Sequence, residues 1–367
     1  MENEVKKTCL NRHHRDLGAT MVEFGGFDMP IEYQNAGIEA EHNAVRNNVG
    51  VFDVSHMGEV LVTGPEAQLF VNHIFTNDVR AIADGAILYG MMLNRRGGVV
   101  DDLLVYRKAE NEYFLVINAS NIDKDVAWIK EQATTFNVKV ENQSDGYAEI
   151  AIQGPNAEET LKRVLGIDGT DLAFYTFKTL EIENDNVIVS RTGYTGEDGF
   201  EVYASAATIQ QMWDKLIKAG VQPCGLGCRD TLRFEAGLPL YGDELTDDIT
   251  PIEASLSMFC KLDKPDFIGK DVVAKQNEEG TARKSVGLEI NAPAIARHGY
   301  DVLDNDENVI GHITTGYRSI TLGKNIAMAL IDSKFAKLGT EVKVRVRKKV
   351  FPAVVAKKRF YTPNYKK

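Results

Sequence analysis

Cysteine is scarce: the 367 residues hold four, Cys9, Cys224, Cys228 and Cys260. Three residues separate Cys224 from Cys228, which is neither the zinc-ribbon nor the thioredoxin spacing, so reduced thiols in a cytosolic-type interior are expected. Long apolar runs are missing as well. No stretch approaches membrane-spanning length, and the start, MENEVKKTCLNRHHRDLG, has neither a signal-type apolar region nor the acid-poor pattern of a transit peptide. A cytoplasmic protein is expected. Positive charge is in deficit, with a formal net charge of -11, which argues against a general nucleic-acid binder. The seven histidines show no H-E-x-x-H or paired metal spacing, and no G-x-S-x-G elbow occurs. The fingerprints of a phosphate loop and of a dinucleotide domain are also missing. Metal catalysis, a serine triad and a resident flavin are therefore not expected.

The length exceeds one compact core, so two or three domains are expected. An internal similarity supplies two of them. VLVTGPEAQLFVNHIF (Val60 to Phe75) reads strand, Gly-Pro, helix, and IAIQGPNAEETLKRVLG (Ile150 to Gly166) repeats it 90 positions later, from Gly64 to Gly154. Asn156 followed by Glu159 suggests a capping box at the second helix. Further on, a strand, a polar cap and a helix carrying Trp128 recur with Trp213. Two copies are too few for a solenoid, so a pseudo-symmetric pair of α+β units is expected, with ligands favouring their seam. From about Lys284 short alternating runs predict a small β-barrel, with Asn305-Asp306 at one hairpin tip. In KVRVRKKV, valines and basic residues fall on opposite faces; a solvated barrel wall and a functional basic surface are equally compatible.

Three polar stretches carry the candidate chemistry. SRTGYTGEDGFEVY (Ser190 to Tyr203) leads from its glycines into a strand rather than a helix, and it lacks the alternating ligands of an EF-hand, so it reads as a hairpin tip. Glu197 and Asp198 are expected to be solvated there, while Glu201 projects from the strand opposite Phe200 and Val202. In GGVVDDLLVYR the adjacent Asp101 and Asp102 point to opposite faces, so they form no aspartic-type pair; if one is functional, the other caps the turn or faces water. In PCGLGCRDTLRFEAGLPLYG, Arg229 and Arg233 share one helix face, and one of the two is expected in a structural ion pair with Asp230, Glu201 or a ligand carboxylate as candidate partners. His56, in GVFDVSHMGE, is expected to be a hydrogen-bonded core or seam histidine.

In order along the chain, GATMVEFGGFDMPIEY, GVFDVSHMGE, GGVVDDLLVYR, AIQGPNAEETL, SRTGYTGEDGFEVY, PCGLGCRDTLRFEAGLPLYG and DFIGK resemble the folate-dependent aminomethyltransferase family, the T-proteins of the glycine cleavage system. The resemblance spans essentially the whole chain. It implies an α+β cloverleaf of three domains around a central folate site, two related α/β halves plus a C-terminal small β-barrel. The expected division is 1–50 with 145–250, 51–144 with 251–280, and 281–367. The implied reaction passes a methylene from the aminomethyl-lipoyl arm of H-protein to tetrahydrofolate as co-substrate, releasing ammonia. The resemblance makes Asp102 the catalytic aspartate and Glu201 the pterin-binding glutamate. It places Arg229 at the ligand, Tyr89 in the folate site and Tyr365 at a C-terminal contact, although Thr362 stands where other members carry an arginine. The competing implications are a different folate-dependent demethylase on the same fold and a non-enzymatic folate-binding assembly factor; the Lys-Gly-Cys motif of the latter is missing. The basic C-terminal surface is a candidate dock for an acidic carrier or a polyglutamylated folate tail.

Overall fold

A computed structural model describes residues 5–366. The first half is a five-stranded antiparallel sheet in the spatial order Ile87–Leu93, Val99–Ala109, Glu112–Ile117, Gly58–Thr63, Lys139–Asn142. The second is a six-stranded sheet ordered Phe177–Ile182, Asp185–Ser190, Gly199–Ala204, Ala148–Gln153, Gly50–Asp53, Gln222–Cys224. The first four strands correspond one to one, so the sequence repeat is a repeat of topology. Gly64 and Gly154 even share their backbone state, with φ of +133° and +132°. The fifth position breaks the symmetry. Lys139–Asn142 follows its helix and pairs directly with Gly58–Thr63, whereas Gln222–Cys224 is displaced outward by Gly50–Asp53, with which it runs parallel.

Each half buries one sheet face under two helices, Ala67–Ile74 with Ile122–Gln132 and Ala157–Leu165 with Ala206–Lys218. Their inward stripes supply Phe70, Val71, Ile74, Val126 and Ile129 in one half, and Leu161, Ile209, Met212, Trp213 and Leu216 in the other. The helix Ala157–Leu165 begins at Asn156, but no capping box forms there. The Asn156 amide instead donates to Asn48 Oδ1 at 2.8 Å, tying this helix start to the segment before Gly50.

The halves join at one sheet end. Phe177 N donates to Gly85 O and Ile87 N to Tyr175 O, while Tyr106, Phe114, Ile188 and Tyr203 pack between the sheets. The third unit is a closed six-stranded barrel in the order Arg283–Ile290, Asn325–Asp332, Val309–Arg318, Asp301–Leu303, Glu341–Val346, Lys349–Ala356. Val342 and Val344 fill it, while Arg345 pairs with Asp301 at 2.7 Å and Lys343 lies 3.5 Å from Glu307 on the outer wall. The turn expected at Asn305-Asp306 lies between Asp301–Leu303 and Val309–Arg318. The barrel meets the second half through Phe234, Ile326 and Met328, and through Glu235, which accepts from Ser319 Oγ and Thr321 Oγ1.

Candidate active site

A cavity of about 360 Å³ opens where the halves, the segment around Leu238 to Phe259 and the C-terminal tail converge. Asp102 reaches it from Val99–Ala109, the long strand that crosses from the first half towards the seam. Tyr89, on the neighbouring strand, donates its hydroxyl to Asp102 Oδ2 at 2.9 Å, and Asn118 Nδ2 donates to Oδ1 at 2.9 Å. Both carboxylate oxygens are thus aimed by neutral donors, and among the described residues no cation pairs with the group. Burial, and then the charge of Asp101, push the Asp102 carboxyl up from the ordinary range to about 7.

Asp101 corrects one expectation. It does leave on the opposite face, but it neither caps the turn nor meets water. It is fully buried and accepts from Asn118 N at 3.0 Å, Asn118 Nδ2 at 2.8 Å and Asn121 Nδ2 at 2.7 Å. A single amide, Asn118 at the end of strand Glu112–Ile117, therefore touches both acids, and Asp101 fixes the group that aims Asp102. Next to it Asp125, desolvated and beside the Asp101 charge, is pushed up to about 10 although Lys124 Nζ lies 3.1 Å from its Oδ1. The polar stretch around Asn118 reads in sequence only as a helix cap, which hid its role as a clamp.

Glu201 occupies the other half of the wall. It is buried, it accepts from Thr192 Oγ1 at 2.6 Å, and desolvation raises its carboxyl despite Thr192 and the nearby Arg229. The acids before it, expected to be solvated, are buried in ion pairs. Asp198 binds Arg191 at 2.7 Å, and Glu197 accepts from Arg46 at 3.0 Å and from Tyr361 OH at 2.6 Å. A hairpin tip whose residues enter the interior keeps its charges only by pairing them. The glycines answer to Gln153: a Cβ on Gly193 or Gly199 would lie within 2.0 or 2.4 Å of its amide, which itself donates to Thr192 O.

The two arginines of one helix face separate. Arg233 is enclosed by Asp230 at 2.7 Å and Glu244 at 2.8 Å, a structural pair that does not involve Glu201. Arg229 lines the cavity with its guanidinium 4.7 Å from the Tyr194 ring centre and, among the described residues, has no carboxylate or hydrogen-bond partner for its side chain. His56 is at the seam but its Nδ1 is without a hydrogen bond among the described residues. It sits edge-on to Phe24 at 5.7 Å, and burial together with Arg229 pushes it down to about 4. Tyr365 arrives from the tail and stacks on Phe174 at 4.3 Å. The tail is pinned by Tyr361 on Glu197 and by Asn364 N on Gly196 O at 2.8 Å.

The structure thus brings Asp102, Tyr89, Glu201, Arg229 and Tyr365 to one cavity. Sequence reasoning missed Asn118, Tyr175, Tyr194 and Glu149, which also line it. Away from it, Glu41, Cys224 and Cys228 cluster within 4.8 Å, but the two Glu41 oxygens already accept from Tyr33 N and Gly225 N. Chemically, the cavity offers carboxyl acceptors to a planar heterocycle rich in N–H groups, aromatic walls to stack it, and the guanidinium groups of Arg229 and Arg359. The geometry suits orientation and proton handling.

Comparison with known proteins decides the family. The model described as the GCVT N-terminal domain matches residues 10–264, and the glycine cleavage T-protein C-terminal barrel domain matches residues 283–362. The chain belongs to the glycine cleavage T-protein family. An aminomethyltransferase from Caldanaerobacter subterraneus subsp. tengcongensis is 49% identical, covering 100% of this chain and 98% of the relative. One from Alkaliphilus oremlandii is 48% identical over 99% of this chain and 100% of the relative. The crystal structure of glycine cleavage system aminomethyltransferase T from Bartonella henselae superposes with a TM-score of 0.93 at 33% identity, covering 99% of this chain and 100% of that one. T-protein membership agrees with the order of the sequence motifs and with the architecture of two α/β halves and a barrel. Among the described residues no helix is long and apolar enough to cross a membrane.

Proposed function

We propose that the cavity is the place where this T-protein family member transfers a methylene from an aminomethyl-lipoyl arm to tetrahydrofolate, with release of ammonia. The arm belongs to a lipoylated H-protein, and the cavity lies where three units, 1–50 with 145–250, 51–144 with 251–280 and 281–367, come together. The carrying observation is the Asp102 carboxyl, held at the seam by Tyr89 and Asn118 and, among the described residues, without a cation partner. The donor set fits a reduced pterin. Glu201 keeps an oxygen beyond its Thr192 bond for a ring N–H edge, and the tyrosine-rich walls suit a flat ring.

When bound, tetrahydrofolate supplies the secondary-amine nitrogen that captures the methylene. Asp102, whose carboxyl is raised to about 7, accepts in its ionised form the proton displaced from that nitrogen and stabilises positive charge on the methylene as the lipoyl sulfur leaves as a thiol and the amine as ammonia. Tyr89 and Asn118 hold both its oxygens, so no rotamer search precedes the transfer. Arg229 offers its unengaged charge to an anionic group of the ligand. Purified protein given tetrahydrofolate and aminomethyl-loaded H-protein is expected to release ammonia. No ammonia, with turnover of a different methyl donor, would overturn this reading.

A further inference from the structure

Glu149 is a buried acid of the cavity that this chemistry leaves idle. It lines the cavity from strand Ala148–Gln153, is 1% exposed, and its Oε2 has no hydrogen-bond partner among the described residues. In the sheet register it lies directly across from Tyr203, two residues along from Glu201, so both glutamates share one sheet face.

From Glu201 a row of buried hydroxyls runs towards Glu149, ending at Tyr203, which stands directly across the sheet register from it. Thr192 Oγ1 donates to Glu201 Oε2 at 2.6 Å, and Ser190 Oγ is 2.6 Å from Thr192 Oγ1. Tyr106 OH is 3.1 Å from Ser190 Oγ and 2.9 Å from Tyr203 OH, which faces Glu149. All four hydroxyl residues are essentially shielded from solvent. A hydroxyl has one proton to give, so a row of them must point one way or the other. With Glu201 ionised, every O–H points towards it, and Tyr203 is left presenting an acceptor lone pair to Glu149. A neutral Glu149 fills that lone pair with its own O–H. Reversing the row would need the proton on Glu201 instead.

The surroundings decide where the proton sits. Glu149 faces Glu59 from strand Gly58–Thr63, Glu201 and Tyr203 from Gly199–Ala204, and Tyr106 from Val99–Ala109; Arg229, on helix Leu226–Glu235, is the one cation acting on it. Arg229 acts on Glu201 as well, while Thr192 donates directly to Glu201 alone. Burial and the neighbouring carboxylates drive the Glu149 carboxyl well above its ordinary range.

We propose that Glu149 and Glu201 hold one proton between them through this row, with Glu149 neutral and Glu201 ionised, and that Glu149 is thereby a positioning residue for the ligand-binding carboxylate. The role in ligand binding rests on the folate reading above. The proton sharing does not.

The two parts are tested separately. Without ligand, difference infrared spectroscopy of the full chain reads the C=O stretch of protonated carboxyls. Glu149→Gln should remove one such band at neutral pH. Both Glu201→Gln and Tyr106→Phe should shift the pH at which that band titrates, the former downwards because a like charge is gone. No band lost in Glu149→Gln, or a titration that neither substitution moves, overturns the sharing. With tetrahydrofolate as the probe, Glu149→Gln keeps a neutral donor and should bind within about twofold of wild type. Its affinity should also lack the weakening expected of wild type as rising pH removes the Glu149 proton. Glu149→Met removes the donor and should bind about tenfold or more weakly, the order of a lost hydrogen bond in a charge-terminated row. Wild-type affinity in Glu149→Met, or an alkaline limb retained in Glu149→Gln, refutes the positioning role. Should wild type itself fail to bind tetrahydrofolate, the folate reading falls, and the infrared arm still decides the sharing.

Discussion

Asp102→Asn separates catalysis from stability in this protein, and the structure sets both magnitudes. An asparagine keeps the shape: its Oδ1 can still accept from Asn118 Nδ2, and the Tyr89 hydroxyl can turn to accept from the new amide. Binding in the cavity should therefore change little. The proton-accepting capacity is lost, and general-base contributions of this kind are worth about 10²–10⁴ in rate. Stability should move the opposite way. The Asp102 carboxyl rises from 3.8 to about 7 on folding, so the folded state holds the proton more tightly. As pH climbs from the unfolded value through the folded one, that preference is lost and the carboxylate becomes a liability. Three units amount to an upper limit of about 4 kcal/mol, and water in the open cavity reduces it to about 1–3 kcal/mol. Asp102→Asn should thus melt higher than wild type at pH 8, with the difference vanishing towards pH 4. Steady-state ammonia release, folate titration and thermal melts at several pH values read the three quantities. Turnover within tenfold of wild type, or a loss confined to Asp101→Asn, would refute the assignment of the pair.

The two arginines should dissociate in the same way. Arg229→Met breaks no ion pair or side-chain hydrogen bond among the described residues, only the contact with Tyr194 and the charge beside Glu201, so it should cost less than about 1 kcal/mol of stability yet weaken folate binding at least about tenfold. Arg233→Met strands Asp230 and Glu244 and should destabilise by about 3–5 kcal/mol, measured by denaturant titration. His56 is pushed down to about 4 from 6.5, so the unfolded chain binds its proton first. Its contribution is complete above the unfolded value and falls away as pH drops from 6.5 to 4, by about 3 kcal/mol at most. His56→Phe should flatten that part of the acid-denaturation profile; an unchanged slope would show that His56 is not the group responsible.

The repeat and the barrel were legible because each leaves a local mark, periodicity and a Gly-Pro turn, whereas Asp102, Glu201 and Arg229 were singled out by the family resemblance and not by spacing alone. What stayed hidden was pairwise. Nothing near Glu197 announces Arg46, some 150 positions earlier, so an acid in a glycine-rich turn reads as solvated. Asp101 reads as a spare because its partners, Asn118 and Asn121, sit beyond the next strand. Asn156 has the residues of a capping box, but Asn48 competes for its side chain and wins. Local propensity yields wherever a distant polar group must be satisfied.

The strand Gly50–Asp53, lodged between Ala148–Gln153 and Gln222–Cys224, also dictates an order of assembly. Every strand of the first half lies between Gly58 and Asn142, so its sheet can pair soon after it is synthesised, although the segment that covers it through Ile268 comes later. The amino-terminal segment cannot. One edge of its strand must wait for Ala148–Gln153 and the other for Gln222–Cys224, pairings of long sequence separation that form slowly. Until the last strand covers it, that outer edge is an open template for misplaced pairing.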